Sequence, residues 1–115
     1  MKYSPTQTWA ADHFYGCSIT AAASVLRSHP YRMVQLAGNN LIAVRADLLP
    51  ESFPHRSVEE SYRMGYLELP DRKKLYWYNS DVDYWLQLGT RDALDEIAAY
   101  FQDYPKSSFE LRAAG

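Results

Sequence analysis

A chain of 115 residues is long enough for one domain with one core and too short for two. With 47% apolar and 23% charged residues it reads as globular rather than disordered, and its single cysteine excludes an internal disulfide and any multi-cysteine metal site. The net charge of −2 hides an asymmetry, since residues 1–78 hold nine Lys/Arg against seven Asp/Glu while residues 79–115 hold three against seven. A broad nucleic-acid footprint is therefore not expected.

No apolar run approaches the ~18 residues of a membrane span. The opening MKYSPTQTWAADH lacks the apolar core of a secretory leader. A cytoplasmic protein with no membrane partner is the expectation.

The chain begins with Ser4-Pro5, a capping hydroxyl followed by a proline at the first helical position, which predicts a short helix from Pro5 toward Phe14 ending at Gly16. A second helix is predicted from Ser18 to Ser28. It carries Ile19, Ala22, Ala23 and Leu26 at helical spacing and is stopped by His29-Pro30.

Residues Tyr31 to Asp47 read as a hairpin turning at Gly38-Asn39-Asn40, residues that tolerate positive φ. Alternation places Val34, Leu36, Leu41 and Ala43 on one face and Met33, Ile42 and Val44 on the other. Both faces are apolar, which predicts a central strand pair covered on both sides. After a loop from Glu51 to Arg56, Ser57-Val58-Glu59-Glu60 fits a capping box that opens a brief helical turn.

A three-stranded meander is predicted over residues 62–88. Its first strand runs from Tyr62 to Leu69. The other two, within KLYWYNSDVDYWLQL, flank Asn79-Ser80-Asp81. An even loop sets Tyr78 opposite Asp83, Trp77 opposite Tyr84 and Leu75 opposite Leu86. Leu75, Trp77, Val82, Tyr84, Leu86 and Leu88 then form a core face, while Tyr76, Tyr78, Asp83 and Trp85 face water. Gly65, opposite Tyr78, leaves room for an aromatic ring across the strand. The closing helix, residues 91–104, has Thr90 as N-cap, Asp92 and Asp95 at its positive end, and Leu94, Ile97, Ala98 and Phe101 as its buried stripe. Pro105 stops it, and a loose tail runs from Lys106. The predicted fold is α+β: a helical N-terminus, an antiparallel sheet of about five strands and a C-terminal helix packed on one face, all in one domain of residues 1–115.

The candidate chemistry is sparse. Cys17, in FYGCSITAAASVL, stands at a helix start where a thiol is activated, and the context resembles the cysteine helix of papain-like peptidases. That family needs a histidine on a later strand, and His29 and His55 instead flank prolines; a Cys17-dependent hydrolase or transferase is the alternative reading. His13, His29 and His55 lack metal-ligand spacing, and the scattered glycines form no phosphate loop, so no metal or cofactor is expected.

The order of a meander, LGT and a helix in YWYNSDVDYWLQLGTRDALDEIAAYF resembles the arm-binding domain of phage integrases. Those strands carry basic residues to reach DNA. This segment carries Asp81, Asp83, Asp92, Asp95, Glu96 and Asp103, so a DNA-binding role is not transferred.

What remains is a surface. Tyr76, Tyr78 and Trp85 beside Asp81 and Asp83 have the composition of a binding hot spot, and Asp92, Asp95 and Glu96 on the last helix would steer a basic partner. The expected function is a small acidic non-catalytic protein-binding module, an inhibitor of the kind seen in phage anti-defence (anti-CRISPR) or toxin-immunity proteins. Mimicry of nucleic-acid charge and a structural dimerisation role belong to the same field of readings.

Overall fold

The computed structural model describes residues 17–104 and 110–111. The helix expected from Pro5, the stop at Pro105 and the tail, apart from Glu110 and Leu111, lie outside the described residues. The chain divides into two compact units, one over Cys17–Leu75 and one that holds residues 76–104.

In the first unit, α1 spans Ile19–Arg27. Ser18 is extended (φ −66°, ψ 155°), and its hydroxyl accepts from the N–H of Ala21 at 3.2 Å. Ala23 is buried and Ile19, Ala22 and Leu26 half-buried, so the expected stripe is the packed one. That stripe meets β1. The small alanines permit the close approach.

Strands β1 (Tyr31–Ala37) and β2 (Asn40–Arg45) pair antiparallel. Ala37 lies opposite Asn40, leaving a two-residue loop in which Gly38 takes φ 63°, the left-handed geometry such loops require. The register departs from simple alternation through a bulge between Met33 and Gln35. Met33 therefore opposes Ala43 and joins the side of Leu36 and Leu41, whereas Arg32 and Gln35 share the side of Val44 and Ile42. Ile42 is 44% exposed, so the pair is not covered on both sides. Beyond β2, Arg45 holds Asp47 through Nε at 3.0 Å and through Nη2, which keeps the Asp47 carboxyl below its usual range.

Helix α2 spans Val58–Tyr62 and opens on a complete capping box: Ser57 Oγ accepts from Glu60 N–H at 3.1 Å, and Glu60 Oε2 accepts from Ser57 N–H at 2.9 Å. The helix does not stop after one turn. It runs directly into a π-helical stretch, Arg63–Leu67. This overturns the strand expected from Tyr62 to Leu69. The cause is visible at Gly65, which lies against β1 so closely that a Cβ would sit 2.1 Å from the Leu36 carbonyl oxygen. Gly65 makes room for a strand backbone, not for an aromatic ring. Tyr66, buried beside it, stacks on Tyr62 at 5.3 Å and carries the Arg72 guanidinium over its ring at 5.5 Å.

The rest of the expected meander is helical as well. Helix α3 spans Arg72–Leu75, a 3-10 turn covers Trp77–Asn79, α4 spans Val82–Trp85 and α5 spans Thr90–Tyr100. Among the described residues the only sheet is the two-stranded β1–β2 pair, not one of about five strands. With residues 62–69 drawn into a helix, strands at 74–78 and 82–88 would form an isolated ribbon, which is marginal in water. Helical turns satisfy the same N–H groups locally. Lys74 and Leu75 donate to Asp71 O, Asn79 to Tyr76 O, and Tyr84 and Trp85 to Asp81 O, at 2.9–3.1 Å.

Helix α5 is close to its expected place. Gly89 rather than Thr90 is the cap residue, Thr90 being the first helical position, and Asp92 lies in the first turn. Phe101 is buried and Leu94 and Ile97 half-buried, but Ala98 is exposed; Ala93 takes its place in the stripe. Phe101 meets Tyr100 at 5.0 Å and Tyr104 at 5.3 Å, both edge-on.

Candidate functional site

The residues expected to meet a partner all lie in the second unit, on short helices rather than on a sheet face. The change of periodicity re-sorts them. Within 82–88 the half-buried apolar residues are Val82, Trp85 and Leu88, three apart, and the outward ones are Tyr84 and Leu86. A strand would have placed Tyr84 and Leu86 inside and Trp85 outside.

Trp85, expected in water, packs edge-on against Tyr100 at 5.6 Å and so joins α4 to α5. Tyr76 and Tyr78 are half-buried and meet edge-on at 6.2 Å. Asp81 and Asp83 are half-buried, Asp81 as the residue that opens α4. The side-chain amide of Gln87 donates to the Asp83 backbone carbonyl at 2.9 Å.

The acidic residues of the last helix stand as expected. Asp92, Asp95 and Glu96 are exposed, and the i, i+3, i+4 spacing puts them on one side of α5. The structure thus gathers Tyr76 with Tyr78, couples Trp85 to α5, and lines up three carboxylates along that helix.

Among the large apolar side chains offered to solvent are three of the second unit assigned to the core from sequence: Trp77 at 64% exposure, Tyr84 at 52% and Leu86 at 53%, beside Tyr100 at 46%. Trp77 also touches Tyr78 edge-on at 5.7 Å. Reading residues 82–88 at a period of three would have turned Tyr84 and Leu86 outward. Nothing local distinguishes Trp77.

Cys17 is exposed and stands one residue before the Ser18 cap. His29 is exposed past the end of α1, and His55 Nδ1 is engaged by Arg32 Nη2 at 3.1 Å. Among the described residues no group of three His, Cys, Asp or Glu is placed to hold a metal ion, and no helix is long and apolar enough to cross a membrane. Comparison with protein-family models, with curated proteins and with solved structures finds no match.

Proposed function

We propose that this chain is a small non-catalytic protein-binding module that captures a partner with a basic surface, in the manner of an inhibitor, and that it works in the cytoplasm. The observation that carries the reading is the surface of the second unit. Residues 76–104 hold six carboxylates against one arginine and turn Trp77, Tyr84 and Leu86 outward. Exposed Trp and Tyr supply large contact area with few rotors to immobilise, and they are the residue types that dominate binding energetics. Asp92, Asp95 and Glu96 supply the field that draws a cationic surface in. Tyr76, Tyr78 and Trp85 are half-buried in the same unit, where Tyr78 meets Trp77 edge-on and Trp85 meets Tyr100, and Asp81 and Asp83 stand at the start of α4. Phosphate backbones would be repelled by the same charge, which favours a protein partner over nucleic acid.

The test is kinetic. With a partner isolated from the native host, Trp77→Ala and Tyr84→Ala should accelerate dissociation, while Asp92→Lys and Asp95→Lys should slow association and flatten its salt dependence. Unchanged kinetics in all four variants would sink the proposal.

A further inference from the structure

Between β1 and the α2–π-helical stretch lies a cavity of about 250 Å³, lined by Gln35, Leu36, Arg56, Ser61, Met64 and Gly65. All six belong to the first unit. Its chemistry is divided. Leu36 and Met64 are its apolar residues. The Ser61 hydroxyl is already used, donating to Ser57 O at 2.9 Å. The other polar residues of the lining are Gln35 and Arg56, both exposed.

Arg56 makes no ion pair with another described residue. Glu60, next to Ser61 in the chain, has its carboxylate turned to the Ser57 N–H. The loop bearing Arg56 is fastened to the strand by the bond between Arg32 Nη2 and His55 Nδ1. A guanidinium has no lone pair to accept with, so the imidazole nitrogen is the acceptor. The bulge at Val34 sets Arg32 on the same side of the hairpin as Gln35. Arg32 and Gln35 thus share one side of the hairpin, and Gln35 and Arg56 both line the pocket.

We propose that this cavity binds a small organic carboxylate, with the anionic head on Arg56 and Gln35 and a ring-sized apolar body against Leu36 and Met64. The planar guanidinium fork matches a carboxylate in two parallel hydrogen bonds. The volume lies just under the ~300–1,000 Å³ of drug-sized ligand sites, which limits the body to about one ring.

The experiment titrates isotope-labelled protein with phenylacetate and follows amide chemical shifts, with acetate and the neutral phenylacetamide as controls. Saturable shifts are expected at Gln35, Leu36, Ser61, Met64 and Gly65, with both controls weaker by ~tenfold or more, since each lacks either the charge-assisted pair or the apolar body. Arg56→Gln should lose ~tenfold in affinity with an unchanged melting temperature. Arg27→Gln, an exposed arginine of α1, should bind as wild type does. Equal binding of the neutral amide, full affinity in Arg56→Gln, or shifts that are absent or scattered over the surface would each overturn the assignment.

Discussion

Gly65 and Leu36 meet backbone to backbone. A Cβ on Gly65 would lie 2.1 Å from the Leu36 carbonyl oxygen and 2.8 Å from the Leu36 Cβ. The Gly65 carbonyl in turn accepts from the Gly38 N–H at 2.8 Å, in the turn of the hairpin. One glycine thus joins the helical half of the first unit to its strands.

Gly65→Ala sets two effects against each other. Alanine favours a helix over glycine by ~1 kcal/mol. The 2.1 Å approach is to backbone, which cannot swing away, and overpacking of this kind costs ~1–3 kcal/mol or more. The steric effect wins, so urea denaturation should show a net loss of stability. A neutral or stabilised variant would mean the helix and β1 are further apart.

Gly38→Ala addresses the turn. At φ 63° an L-residue pays for its Cβ by ~1–2 kcal/mol. The midpoint of denaturation should fall accordingly, and Gly38→Asn should recover part of the loss because asparagine tolerates this region.

Ser57→Ala removes one half of the capping box, whose two bonds are 3.1 and 2.9 Å. A loss of ~0.5–2 kcal/mol is expected. Ser57→Asp should retain most of the stability, since it keeps an acceptor for the Glu60 N–H.

Phe101→Ala and the two tryptophans separate packing from recognition. Phe101 is buried among Tyr100 and Tyr104, and its truncation should cost ~3–5 kcal/mol. Trp85→Ala should also lower the melting temperature, through loss of the Tyr100 contact. Trp77→Ala should melt with wild type yet lose ~2 kcal/mol or more of partner affinity if it is a hot spot. Should Trp77→Ala destabilise the fold and leave binding intact, Trp77 is a packing residue and the interaction face lies elsewhere.

Cys17→Ser should preserve both stability and partner binding, because the non-catalytic reading gives the thiol no role. Loss of function in that variant, together with rapid alkylation of wild type near neutral pH, would favour the thiol-dependent alternative.

The sequence by itself determined the features whose causes lie within a few residues. The Ser18 cap, the Ser57–Glu60 box, the Gly38 turn between two apolar runs and the amphipathic stripe ending at Phe101 all have local geometry written into them. The acidic surplus of the second half is likewise independent of fold. Tertiary structure decided residues 62–88. Apolar runs of four to eight residues fit a strand or a short helix equally well, and the aromatic residues there favour the strand. The choice fell to a contact distant in sequence, Gly65 on Leu36, which draws the would-be first strand into a helix and leaves the following runs without an edge to pair with. That choice also reverses which side chains face outward. A period of two exposes Trp85 and hides Tyr84 and Leu86, whereas a period of three hides Trp85 and exposes the other two. The bulge at Val34 acts in the same way on a smaller scale, bringing Arg32 and Gln35 to one side of a hairpin on which strict alternation would have parted them.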